Sequence, residues 1–279
     1  MQGIIGGLYA RTQGLGEVVA RAIYDQYTPA STDDPIPATV EGQVLGVADR
    51  IQTITAMFGI GSAPTGSKDP FALRRAANAI VKILAESGLP LTLADVVTSS
   101  GAEGANREQV AAFLRERLSF YLKDVRGFAY DVVNAVLAAG ADDVRDAIAR
   151  AEALTAARES ADFAAISAAF KRIKNILRQA EEKGFALGSA KDASLSVEAQ
   201  QLADAAAALA QKVAELRQKR AYPEALTLIA TLRPIVDAFF DKVMVLDPDR
   251  AVRGAHLALI DEVLRGFSGI ADFSEIVTT

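Results

Sequence analysis

The strongest constraint on this chain is an absence. No stretch alternates apolar and polar residues with the valine, isoleucine and threonine enrichment that a half-buried strand needs. Alanine, leucine, glutamate, arginine and lysine recur instead at the three- and four-residue spacing of amphipathic helices, and all five are good helix formers. The chain reads as all-α, with helices expected at residues 16–27, 40–58, 69–86, 93–97, 107–125, 131–138, 142–155, 163–183, 197–219, 223–246 and 249–267. Local signals support several ends. Asn106 suits an N-cap, Asp142 a helix N-terminus, Pro70 a first turn where its missing N–H costs nothing, and Gly88 the position beyond a helix end. Two irregular stretches, "PASTDDPIP" (29–37) and "KGFALGSAKDASLS" (183–196), read as surface connections.

Charge and rare residues bound the chemistry. The 279 residues, 51% of them hydrophobic, suffice for about two domains of ordinary size. A net charge of -5, from 30 basic and 35 acidic residues, means that any nucleic-acid contact must come from local basic clusters. Cysteine is absent, which removes disulfides and thiolate metal sites and fits a reducing compartment. The single histidine, His256, removes most hydrolytic and metal chemistry, and its neighbours Leu257 and Ile260 favour a packed or surface role for it. The first residues lack the basic and apolar regions of a signal peptide, and no run of about 18 apolar residues would cross a membrane. The neighbouring carboxylates Asp33 and Asp34, Asp142 and Asp143, and Glu181 and Glu182 point about 100° apart on a helix, so they do not form acid/base pairs.

The stretch "GSAPTGSKDPFALRRAANAIVKIL" (61–84) joins a glycine-rich loop to a basic helix. It lacks the spacing of a phosphate-binding loop and follows a helix rather than a strand, so it reads as a helix–loop–helix connection. Phe71, Ala77, Ile80, Val81 and Leu84 make an apolar stripe, while Arg74, Arg75, Asn78 and Lys82 fall opposite, beside Lys68 in the loop. This basic face is either a solvated surface or a secondary contact for phosphates. The mixed charges of residues 107–126 (Arg107, Arg115, Arg117, Lys123 and Arg126 against Glu108, Glu116 and Asp124) read as a solvated face with intrahelical pairs.

The run "ADRIQTITAMFGIGSAPTGSKDPFALRRAANAIVKIL" (48–84) resembles a segment of the β subunit of bacterial heterotetrameric glycyl-tRNA synthetase. So do "MQGIIGGLYA" (1–10), "FAYDVVNAVLA" (128–138), "AFKRIKNIL" (169–177) and "FFDKVMVLDPDRAVRGAHLALIDEV" (239–263), and the likeness covers essentially the whole chain. It implies that these residues correspond to the C-terminal portion of that family's longer β chain, with Met1 an internal methionine or an added start. By the same resemblance, residues 1–88 are the end of a helical remnant of an HD-like domain, 89–150 a helical body, and 151–279 a helical-bundle anticodon-binding domain. Asp49 matches the late aspartate of the HD metal site, but the histidine ligands such a site requires are missing, so no metal is expected and an HD-type phosphohydrolase is excluded.

Glycine activation belongs to the family's separate α subunit. The resemblance therefore places ATP and Mg²⁺ there and implies no cofactor and no catalytic residue in this chain. It implies glycine tRNA and the α subunit as partners in an α2β2 assembly in the cytoplasm, without membrane or DNA. Physical chemistry supplies the contact candidates. Lys171, Lys174 and Arg178, with Asn175 beside them, fall on one face of the helix whose other side holds Phe170, Ile173 and Leu177. Arg233, Lys242 and Arg253 are further candidates for reading unstacked bases, whereas Phe239 and Phe240 have a helical context that favours core packing over base stacking. The alternative is a helical scaffold that docks other subunits without reading RNA.

Overall fold

A computed structural model describes residues 1–188 and 195–277. Helices account for the described secondary structure apart from one isolated antiparallel bridge between Thr65 and Lys68, as the all-α reading expects. Contacts group the chain into two units, one comprising Met1–Gly127 and Ala141–Ile148, the other Phe128–Gly140 and Ala149–Thr279.

The first unit holds α1 (Gln2–Thr12), α2 (Glu17–Asp25), α3 (Val40–Gly59), α4 (Leu73–Glu86), α5 (Leu93–Ser99) and α6 (Gly104–Phe120), which runs on into a π-helical turn, Tyr121–Val125. Its centre is the face of α4 carrying Leu73, Ala77, Ile80, Val81 and Leu84, each at most 1% exposed, against α3 and α6. The sequence pattern misses α1, because Gly3, Gly6 and Gly7 depress helix propensity there. Those glycines have a packing use instead. A Cβ on Gly3 would sit 2.7 Å from the Tyr24 carbonyl and one on Gly7 2.7 Å from that of Ala20, so only a bare backbone lets α1 lie this close to α2.

Several expected ends shift for identifiable reasons. Helix α4 starts at Leu73 rather than at Asp69, since the Asp69 carboxylate accepts the N–H groups of Leu73 and Arg74 (2.8 and 3.0 Å) and acts as a cap outside the helix. Pro70 is therefore in the preceding turn, and Phe71, expected in the apolar stripe, lies outside the helix at 51% exposure. Helix α6 begins at Gly104, so Asn106 lies inside it and donates to the Thr55 carbonyl instead of capping. The cap of α8 (Val144–Ala157) is Asp143, whose carboxylate accepts from the N–H groups of Arg145 and Asp146, rather than Asp142.

The second unit contains α7 (Tyr130–Ala138), α9 (Ala161–Glu182), α10 (Val197–Gln218), α11 (Tyr222–Ala230), α12 (Arg233–Lys242), α13 (Arg250–Phe267) and a 3₁₀ turn, Phe273–Glu275. Ser160, Ser196 and Asp249 cap α9, α10 and α13 through their side-chain oxygens. The helix expected over 223–246 is two helices. Pro234 has no N–H to give the Ala230 carbonyl, so α11 stops there and α12 restarts with the proline in its first turn. Phe163, Phe170, Phe267 and Phe273 meet edge to face at 5.3–6.2 Å and form the packed centre of this unit.

Each unit buries one arginine against backbone carbonyls. Arg50 donates to those of Gln26, Gly46, Thr28 and Pro29 and so ties the 26–29 loop to α3. Burial pulls its pKa down against the opposing field of Asp49. Arg150 donates to the carbonyls of Val136, Gly140 and Ile270. The rigid fork of guanidinium donors satisfies several otherwise orphaned acceptors at once.

Candidate nucleic-acid interface

Helix α9 is long because Ser160 caps its start, its interior holds no glycine or proline, and Gly184, at φ 67°, closes it. Phe163, Ile166, Phe170 and Ile173 are buried, so the register turns Lys171, Lys174, Asn175 and Arg178 to solvent. These four line one open hollow of about 310 Å³ together with Ser274 and Glu275 of the 3₁₀ turn. The expected grouping is therefore present.

Its electrostatics differ from a bare basic stripe. Lys174 Nζ lies 2.6 Å from Asp272 Oδ2, 3.1 Å from Ser274 Oγ and 3.8 Å from Glu275 Oε1. Burial works to raise the Asp272 pKa, but hydrogen bonds from Lys174 and Ser274 outweigh it and hold the carboxyl below the usual range. Arg178 reaches Glu182 at 4.0 Å, with both side chains 68% exposed. Lys171 has no ion-pair partner among the described residues. The stripe thus offers one free ammonium, one loosely paired guanidinium and one ammonium tied to a carboxylate cluster.

The remaining candidates are dispersed over other elements. Arg233, first residue of α12, is paired with Asp162 (2.7 Å) and Asp237 (3.6 Å), and Lys242 with Glu198 (3.0 Å). The hydrogen bond from Lys242 holds the Glu198 pKa below its usual range. Arg253 donates to the carbonyls of Asp247 and Pro248 and stacks over the Phe185 ring, 4.1 Å from its centroid. Phe239 is a core residue at 0% exposure, touching Phe240 and His256 edge to face. Phe240 is half-buried and lies under Arg172, whose guanidinium is 4.1 Å from the ring centroid. His256 is 5% exposed, with Nδ1 3.2 Å from the Met244 carbonyl, a packed position.

Sequence reasoning passed over Arg172. Its partner ring is 68 positions away on α12, and no local pattern announces that meeting.

In the first unit, two of the four candidates of the secondary face serve their own fold. Arg74 donates to the Gly66 carbonyl at 2.8 Å and pins the Thr65–Lys68 turn, and Lys82, 12% exposed, pairs with Glu86 at 2.7 Å. Lys68 and Arg75 are exposed. Asp49 is an exposed residue of α3, and no cluster of metal-ligating side chains occurs among the described residues.

Residues 166–269, which contain α10 to α13 and most of α9, match the family model of the DALR anticodon binding domain. These helices thus place that stretch in the class of helical anticodon-binding domains. Residues 1–138 match the model of the glycyl-tRNA synthetase beta subunit. The whole chain is 64% identical to the glycine–tRNA ligase beta subunit of Acidobacterium capsulatum, and 99% of it is 39% identical to that of Nitratidesulfovibrio vulgaris strain Hildenborough. A third relative, from Moorella thermoacetica, is 38% identical over 99% of the chain. The chain belongs to the glycyl-tRNA synthetase beta subunit family and spans about 41% of the length of these curated relatives.

Proposed function

We propose that this chain is a tRNA-binding part of glycyl-tRNA synthetase, which contacts the phosphate backbone of glycine tRNA through the exposed face of α9. In this reading, the attachment of glycine, with its ATP and Mg²⁺, takes place on a separate α subunit of an α2β2 assembly in the cytoplasm, and the ligand is RNA rather than DNA. The carrying observation is that Lys171, Lys174, Asn175 and Arg178 line a single hollow inside the stretch that matches an anticodon-binding domain. The acidic partners do not oppose it. Exposed ion pairs contribute little net stability, so a phosphate can replace Glu182 as the partner of Arg178 and add counterion release as a driving force.

The test is binding of this chain to glycine tRNA across a salt series. Reversing Lys171, Lys174 and Arg178 together to glutamate should weaken binding and flatten the salt slope by about two units. An unchanged slope would assign the chain to the scaffold reading, in which α9 merely faces solvent.

A further inference from the structure

A second hollow in this unit lies between the segment after α9 and the first turn of α13. It has an open volume of about 700 Å³, and Lys183, Phe185, Gly188, Arg250, Arg253 and Gly254 contribute to its wall. Among the described residues, no acidic side chain lines it. The carboxylate that caps α13, Asp249, is occupied in accepting the N–H groups of Ala251 and Val252. Lys183 and Arg250 are exposed and without ion-pair partners among the described residues, unlike Lys174, Arg233 and Lys242.

Three features make this hollow a built one. The Arg253 guanidinium is held in one orientation, stacked on Phe185 at 4.1 Å and donating to two carbonyls at 2.7 and 3.2 Å. A planar cation supported in this way is a stacking surface that needs no reordering when a flat ligand arrives. The Gly188 N–H donates to the Gly254 carbonyl at 3.0 Å, which ties the segment to α13. A Cβ on Gly188 would lie 2.9 Å from the Gly254 carbonyl carbon, so the junction requires glycine. Finally, the volume is in the range of pockets for small organic ligands, with one aromatic–guanidinium pair and two exposed cations.

We propose that this hollow takes one unstacked nucleotide of the tRNA, its base against the Arg253–Phe185 plate and its phosphate between Lys183 and Arg250. Single-stranded bases are captured by this combination of stacking planes and backbone-tracking cations. The assignment rests on the tRNA-binding reading above, but involves residues and chemistry distinct from the α9 face. Stacking is insensitive to salt, whereas phosphate contacts are not, so the two halves of the site are separable in solution.

The experiment titrates the chain with fluorescently labelled glycine tRNA and with versions abasic at single positions of the anticodon loop, over a salt series. Phe185→Leu and Arg253→Lys should each weaken binding about tenfold with the salt slope intact. Lys183→Gln with Arg250→Gln should flatten the slope by about one to two units. At one loop position, the loss from the abasic tRNA and the loss from Arg253→Lys should fail to add, as expected when both remove the same contact. The thermal midpoint separates loss of contact from loss of fold, and Phe185→Leu provides the variant that retains every hydrogen bond of Arg253. Wild-type affinity in Phe185→Leu and Arg253→Lys, while the α9 triple variant is weakened, would overturn this site and leave the proposed function standing. Failure of the unaltered chain to bind glycine tRNA would overturn both.

Discussion

The two units differ in how far their folds claim the cationic side chains singled out as contacts. In the first, Arg50 closes the 26–29 loop through four carbonyls, Arg74 pins a turn and Lys82 is mostly buried beside Glu86, while Lys68 and Arg75 stay exposed. In the second, Arg150 is held by carbonyls in the same way, but Lys171, Lys183 and Arg250 stand unpaired among the described residues, and Arg172 and Arg253 lie over phenylalanine rings. A cation count therefore does not measure the positive surface a partner can use. What matters is whether carbonyls and carboxylates of the same unit already claim the side chain.

The contrast can be broken by substitution, and the largest effect is expected at Arg50. Arg50→Met leaves several carbonyls without a donor and should destabilise the first unit by about 3 kcal/mol in urea unfolding, with tRNA affinity per folded molecule unchanged. Gly7→Ala comes next. Its Cβ would meet the Ala20 carbonyl at 2.7 Å, so a loss of about 1–3 kcal/mol is expected in the same measurement. Wild-type stability would show that α1 can move away from α2 at no cost. Reversal of Arg74 and Lys82 to glutamate should fall mainly on stability, whereas reversal of Lys171 and Arg178 should fall mainly on RNA affinity. Equal loss of affinity in both would erase the distinction between the units.

Smaller effects sharpen the picture of the α9 face. The Asp272 pKa is below its ordinary value in the folded chain, so its contribution is present above the ordinary aspartate range and is lost as pH falls from there through the folded value. Asp272→Asn should lower stability at pH 7 and reduce the fall in stability below about pH 4, read from thermal midpoints at a series of pH values. It also loosens the hold on Lys174, leaving Ser274 and Glu275 as its partners, so tRNA affinity should rise slightly. The smallest change is expected for Lys242→Ala, which breaks an exposed pair with Glu198 and should leave the urea midpoint within error.

Much of this was legible from the chain, but unevenly. Helix α9 and the shared face of Lys171, Lys174, Asn175 and Arg178 were readable because both follow from a 3.6-residue period in a segment with a clean cap. The break between α11 and α12 is also written in the chain, as Pro234, although the apolar pattern runs on across it. Helix α1 could not be read from propensity, because its glycines are explained only by the carbonyls of α2 pressed against them. Phe239 and Phe240 are neighbours in sequence, yet one is core and the other a plate for Arg172, a difference set by which helix packs over each.

The sequence by itself determined the helical class, most helix positions, the family and the exclusion of thiolate and histidine-rich chemistry, since these depend on composition and on order along one strand of chain. Tertiary structure alone decided which cations remain available. That outcome depends on carbonyls, carboxylates and rings brought in from distant positions, such as Asp272 for Lys174, Phe240 for Arg172 and Phe185 for Arg253. Charge is local to a residue, but its neutralisation or orientation is a property of whatever the fold places within about 4 Å of it.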